Sequence, residues 1–347
     1  MAKIDALLKL MIEHQASDLH VTSGSPPLLR IDGELERIAY HELTEEEVRL
    51  LIYEIVEEGG IKQLESGFDV DFAYEVEGVA RYRVNAYFKY GGLGAVFRMI
   101  PYEIKTFSEL GLPPAVRTLA RLRKGLVIVT GPTGCGKTTT LAAIIDLLNK
   151  ERKAHIITLE DPLEFIHENQ TCLIMQRQVG VHVESFASGL RAALREDPNI
   201  IMVGEMRDLE TIALAITAAE VGLLVFGTLH TSSAAKTVDR IIDVFPKDQQ
   251  DQIRTMLSES LKGVIAQQLL KRADGQGRIA ALEILIGTQA VGNLIREGKT
   301  YQIPSLIQTG RKIGMQSLDQ HLKELLEAEL ISREEALAYA ADKGSIP

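Results

Sequence analysis

Apolar residues recur at helical spacing from the start of the chain: Ile4, Leu7, Leu8 and Met11 mark one face of an amphipathic helix. Leu28-Leu29-Arg30-Ile31, then Asp32-Gly33, then Glu34-Leu35-Glu36-Arg37-Ile38 reads as a hairpin with a tight turn. Thr44 followed by Glu47 is a capping box, opening a helix expected to run through about Val56. Three more strands are predicted over 68–76, 79–88 and 95–100. In the second, Val84, Ala86 and Phe88 alternate with Arg83, Asn85 and Tyr87, so one face is apolar and the other carries Arg81 and Arg83. Residues 1–100 therefore read as a small α+β domain.

Residues 101–114 hold three prolines and no periodicity, and are the expected linker. Beyond them the pattern changes. Gly125-Leu126-Val127-Ile128-Val129-Thr130 is a continuous apolar run, as in a buried parallel strand. A helix is expected from Lys137 to about Leu148, with further buried strands over 155–159, 200–203 and 223–228 and helical segments between them. Alternating strand and helix predicts an α/β domain over 115–347 with a parallel sheet. The tail over 317–339 reads as helical. The longest apolar stretch, 212–229, is interrupted by Glu220 and Val221-Gly222, and reads as a helix followed by a buried strand instead of a membrane span.

Candidate chemistry gathers where these strands end. Gly131-Pro132-Thr133-Gly134-Cys135-Gly136-Lys137-Thr138 satisfies the pattern G-x-x-x-x-G-K-T between a predicted strand and a predicted helix. Small residues let backbone N–H groups close around phosphate oxygens, and the helix N-terminus adds its positive dipole end. Lys137 supplies a point charge to the β- and γ-phosphates, and the Thr138 hydroxyl can ligate Mg²⁺. Thr139 follows in the first helical turn, and Cys135 reads as a small spacer with no redox role. The strand 200–203 runs into Gly204-Glu205. An Asp usually stands where Gly204 is, so Glu205 is the candidate for the metal shell, through water; the alternative is a strand-end surface acid. Glu160, Asp161 and Glu164 follow another strand, at the edge where ligands bind parallel sheets, and one of them is a candidate general base. His230 ends a strand on the same edge, placed either to hydrogen-bond the γ-phosphate or to serve structure alone. Arg81, Arg83 and Arg98 are candidates for stabilising transition-state charge from the small domain; the alternative is a solvated strand face.

Composition narrows the field. The 347 residues are 46% hydrophobic and 25% charged, with a formal net charge of −10 and no Trp, a poor match to phosphate-backbone binding or base stacking. Two cysteines build neither a disulfide framework nor a zinc quartet. With no signal-peptide pattern at the start, the expected compartment is the cytoplasm.

Taken together, Ala16-Ser17-Asp18-Leu19-His20, the phosphate loop, Ile157-Thr158-Leu159-Glu160-Asp161-Pro162-Leu163-Glu164, Gly204-Glu205-Met206-Arg207-Asp208 and Thr228-Leu229-His230-Thr231 stand in the order of a known family. Over nearly its whole length the chain resembles the type IV pilus retraction ATPases, the PilT group of the secretion-superfamily ATPases. The resemblance implies an N-terminal PAS-like α+β domain joined to a C-terminal RecA-like phosphate-loop ATPase domain. It implies ATP and Mg²⁺ as cofactors and a homohexameric ring. The partner it implies is an inner-membrane pilus platform protein, approached from the cytoplasmic side without membrane insertion. It implies Glu164 as catalytic glutamate, Glu205 as the second acidic residue, His230 in the family's "His box", and Arg83 and Arg98 as arginines that reach the nucleotide. A Gly at 204 is normal in that family.

Ala290-Val291-Gly292-Asn293-Leu294-Ile295-Arg296-Glu297 resembles a C-terminal motif of retraction ATPases that usually reads Ala-Ile-Arg-Asn at its start. Gly292 loses a charge there and lowers helix propensity by ~1 kcal/mol relative to Ala. The nearest alternatives are an accessory retraction ATPase and a pilus-assembly or type II secretion ATPase. The latter usually carries a longer N-terminal extension and a four-cysteine zinc site. A RecA-like nucleic-acid translocase, and a scaffold that binds ATP without turnover, are more distant.

Overall fold

Polar–apolar alternation in the first hundred residues produces a six-stranded antiparallel sheet. Its strands are β1 (Asp18–Thr22), β2 (Leu28–Ile31), β3 (Glu34–Arg37), β4 (Val70–Val76), β5 (Ala80–Lys89) and β6 (Gly92–Ile100), in the order β3-β2-β1-β6-β5-β4. The computed structural model describes residues 2–31, 33–100, 103–275 and 277–347. Asp32 of the expected tight turn, and Pro101 and Tyr102 of the expected linker, lie outside the described residues. The chain divides into two units: Met1–Glu103 with Pro162–Ile166, and Ile104–Asp161 with His167–Pro347.

In the first unit, helices Asp5–Glu13, Glu45–Tyr53 and Glu58–Glu65 bring Leu8, Met11, Val48, Ile52 and Leu64 into one core with Leu19, Tyr82, Val84 and Phe97. The Thr44 hydroxyl accepts from the Glu47 N–H at 3.3 Å while the Glu47 carboxylate accepts from the Thr44 N–H at 2.7 Å, closing the capping box. That helix stops at Tyr53, and a separate helix follows. Gly59 and Gly60 in its first turn mask it in the sequence, because glycine is a poor helix former. Along β5 the buried residues are Ala80, Tyr82, Val84 and Ala86. Phe88, expected on the apolar face, is exposed near the strand's end, with the Arg49 guanidinium 5.9 Å from its ring centroid.

The second unit holds β7 (Gly125–Thr130), β8 (His155–Glu160), β9 (Leu173–Gln178), β10 (Ile200–Val203), β11 (Leu224–Leu229), β12 (Leu261–Lys271) and β13 (Arg278–Ile286), ordered β13-β12-β7-β11-β10-β8-β9. All neighbours run parallel except β12 and β13. Three of these strands, β9, β12 and β13, were not anticipated. In β12 six of the first seven residues are buried, which erases the period-2 signal. The stretch 212–229 resolves into the end of helix Leu209–Glu220 and strand β11. Among the described residues no helix is long and apolar enough to cross a membrane.

Part of the expected linker packs into this second unit. Phe107 is buried with Val116 and Leu119 of helix Pro114–Ala120, so the unit opens at Ile104 instead of 115. The tail is two helices, Leu318–Glu327 and Arg333–Tyr339, capped by Ser317 and Ser332; Glu329, at φ 56°, lies between them.

Candidate active site

Because β7, β11, β10 and β8 are parallel neighbours, their C-terminal ends share one sheet edge, and the segments carrying the phosphate loop, Glu160, Glu205 and His230 all leave from it. The loop 131–136 leaves β7 and enters helix Lys137–Glu151. Gly131, Gly134 and Gly136 have φ of 146°, 77° and 88°, conformations that favour glycine. A Cβ on Gly131 would fall 2.3 Å from the Gln267 carbonyl oxygen and 2.6 Å from the Cys135 sulfur, and one on Gly136 2.9 Å from Gln267 Nε2. Glycine at 131 and 136 thus lets the loop close against β12, where a side chain would collide. The first N–H groups of the helix, at its positive dipole end, have no intrahelical partner. This is a fit for phosphate oxygens.

Lys137 Nζ donates to the Gly131 and Pro132 carbonyl oxygens at 2.8 and 3.0 Å and approaches His230 Nδ1 at 3.5 Å. His230 Nε2 lies 3.1 Å from Glu205 Oε1, which also pairs with Arg207 Nε. Burial, with the neighbouring Lys137 charge second, holds the His230 pKa below its ordinary value. A neutral ring that accepts at Nδ1 from an ammonium and donates from Nε2–H to a carboxylate satisfies both contacts. Burial also lowers the Lys137 pKa, against the attraction of Glu205. Four residues from three sequence motifs thus form one chain of contacts: Lys137, His230, Glu205 and Arg207.

Backbone tethers hold this chain in place. The Gly204 N–H donates to the Leu159 carbonyl at 2.7 Å, and a Cβ at 204 would sit 2.9 Å from that same oxygen. That close approach is the local reason for glycine where generic phosphate-loop enzymes carry Asp. Thr228 Oγ1 donates to the Gly204 carbonyl. Thr130 Oγ1, at the end of β7, donates to the Leu229 and Thr231 carbonyls at 3.1 and 3.0 Å and accepts from the Thr231 N–H at 2.9 Å, fixing the segment that carries His230.

The remaining residues divide by place. Pro132, Thr133 and Gly134 are exposed on the loop; Thr138 and Thr139 are half-buried in the first helical turn. Cys135 is buried, and burial pushes its thiol pKa up. Glu160 is buried too, accepting from Thr158 Oγ1 at 2.6 Å and Gln176 Nε2 at 3.1 Å. Glu164 lies within Pro162–Ile166, the segment that belongs to the first unit. Arg83 and Arg98 also belong there, directly opposite each other on β5 and β6; Arg98 Nε is 2.8 Å from Asp18, and Arg83 Nε 4.0 Å from Asp71. Arg81 faces Glu75 and Ile100 in register.

Among the described residues no cluster of three or more His, Cys, Asp or Glu side chains could hold a metal ion by itself. A hydroxyl at 138 and a carboxylate at 205 suit Mg²⁺, which takes one or two protein oxygens together with substrate phosphates. Sequence reasoning missed Gln267, Arg207 and the Thr130–Thr231 link. Arg207 and Thr231 stand beside motif residues, which was a usable signal; Gln267, on an unanticipated strand, gave none.

The description "Type II/IV secretion system protein" names the family whose model matches residues 1–329. The Type IV pilus retractation ATPase PilT of Pseudomonas aeruginosa is 53% identical over 344 residues, covering 99% of this chain and 98% of that one. The Twitching motility protein of Neisseria gonorrhoeae is 48% identical over 338 residues, covering 96% and 90%. Among solved structures, that of the pilus retraction motor PilT with bound ADP matches with a TM-score of 0.91 and 44% identity, over 100% of this chain and 99% of the other.

Proposed function

The chain belongs to the Type II/IV secretion system protein family, and from that premise we propose that it is an ATP-hydrolysing motor that powers type IV pilus retraction. The observation that carries the reading is the phosphate cradle with Lys137, His230 and Glu205 on one sheet edge. ATP binds with its phosphates against the loop, where Lys137 exchanges its two loop carbonyls for phosphate oxygens. A Mg²⁺ ion bound there would neutralise charge on the β- and γ-phosphates, with Thr138 and Glu205 as its protein partners. Glu164 is the proposed general base that takes a proton from the attacking water; the bond between the γ-phosphorus and the bridging oxygen breaks and ADP leaves. Arg83 and Arg98 bring positive charge to the terminal phosphate, and His230, neutral, exchanges Glu205 for a phosphate oxygen at Nε2–H and so reads its presence.

Removal of the γ-phosphate removes the charge that these groups contact, and a state stabilised by that contact loses its advantage. In a homohexameric ring at the cytoplasmic face of the inner membrane, such a cycle turns a pilus platform protein and returns pilin to the membrane. The acidic composition supports a protein cargo over nucleic acid. The test has two parts. Phosphate release by Lys137→Ala and Glu205→Ala should fall by orders of magnitude, and normal turnover in either would refute the site. Deleting the gene should leave many pili and no surface motility; loss of pili would point to assembly.

A further inference from the structure

Gln267 stands outside every motif discussed above. It lies on β12, its side chain is buried, and both ends of its amide are engaged. Nε2 donates to the Cys135 carbonyl oxygen inside the phosphate loop at 2.6 Å, and Oε1 accepts from Thr140 Oγ1 in the helix that follows at 2.9 Å. The Gln267 carbonyl oxygen marks the spot where a Cβ on Gly131 would collide, so the same residue borders the loop through its backbone as well.

A buried primary amide has two donors and an acceptor, and leaving any buried partner unpaired is costly. Holding the Cys135 carbonyl against β12 turns it inward and away from the cradle. A carbonyl facing the cradle would repel phosphate oxygens, whereas one turned away leaves N–H groups to face them. No hydrocarbon of the same size supplies that donor.

We infer that Gln267 is a positioning residue for nucleotide binding: it fixes the phosphate loop in its anion-receptive shape by pinning the Cys135 carbonyl and Thr140 to β12. The inference rests on the ATPase reading. Its ligand is the phosphate part of the nucleotide, so loss of Gln267 should weaken ADP and ATP alike.

The experiment is equilibrium binding of a fluorescent ADP to the full-length protein, alongside thermal melting without nucleotide, for wild type, Gln267→Met, Thr140→Val and the double variant. Gln267→Met should raise the Kd for ADP about tenfold, the effect of about one unpaired buried group. Thr140→Val should raise it less, and the double variant should do little more than Gln267→Met alone, because both changes act on one amide. In turnover, KM for ATP should rise more than kcat falls. A merely structural glutamine would lower the melting temperature and leave the Kd of the folded fraction unchanged, and wild-type affinity in Gln267→Met overturns the inference. Should that variant not fold, an unchanged Kd in Thr140→Val overturns it instead. Failure of the wild-type protein to bind ADP would instead refute the ATPase reading itself.

Discussion

Substituting Gly204 tests how tightly the edge that carries Glu205 is built. An added Cβ would lie 2.9 Å from the Leu159 carbonyl oxygen and 3.3 Å from Glu160 Cα, both backbone atoms that cannot rotate aside. Relief requires β10 to move from β8, stretching the 2.7 Å bond from the Gly204 N–H to that carbonyl. Overpacking of this kind costs about 1–3 kcal/mol, offset by roughly 0.4–1 kcal/mol from the stiffer unfolded chain. A net loss near 1–2 kcal/mol corresponds to about 2–8 °C in melting temperature for a unit of this size. Glu205 is the next residue and moves with the strand, and a misplacement approaching 1 Å reduces turnover by about a hundredfold. Gly204→Ala and Gly204→Asp should therefore both melt earlier and release phosphate at least tenfold more slowly at saturating ATP, on the same reasoning. The aspartate variant restores the acid of generic phosphate-loop enzymes. If it melted and turned over like wild type, the steric account of Gly204 would be wrong.

Burial pulls the His167 and His321 pKa values down to about 4, and His321 Nδ1 accepts from the Leu282 N–H at 2.9 Å, which needs a neutral ring. The unfolded chain gains protons at these residues below about 6.5 while the folded chain does not, so stability is full above that pH and is lost as pH falls toward 4. The slope is up to about 1.4 kcal/mol per pH unit for each group, and thermal melts that stay flat between pH 6.5 and 4 would contradict it. Gly292→Ala should destabilise despite the ~1 kcal/mol gain in helix propensity, because its Cβ would sit 2.8 Å from the Ser258 carbonyl of the neighbouring helix; a higher melting temperature would refute this. Arg83→Gln should lower phosphate release at least tenfold at saturating ATP, as expected when a charge on a developing phosphoryl transition state is lost. Wild-type turnover would remove Arg83 from the mechanism.

Much of the second unit's chemistry was legible because its signals are local. The loop's glycines announce positive φ, and a continuous apolar run followed by Gly-Lys-Thr places strand, loop and helix together. Glu205 and His230 were legible as strand-end residues, although their mutual contact was not, since it depends on β10 and β11 being neighbours. Strands β12 and β13 escaped because burial of most of β12 removes the alternation by which strands are read, and Gln267 escaped with them. Glu164 shows another limit: it follows β8 by four residues, yet its segment joins the first unit, a partition no spacing encodes. Gly292 looked like a weakened helix position and is instead a place where the Ser258 carbonyl of the neighbouring helix leaves no room for a Cβ.

The facing guanidiniums of β5 and β6 carry a cost in the resting protein. Like charges opposite each other weaken a sheet by a few tenths to about 1 kcal/mol, and Asp18 relieves Arg98 more closely than the distant Asp71 relieves Arg83. An anion bridging both side chains would turn that repulsion into shared attraction, so the first unit should grow more stable when a polyanion occupies its arginines. A strand pair optimised for endurance would have placed a glutamate at one of these positions. Two cations there instead leave the strand pair with a repulsion that a bound anion would offset.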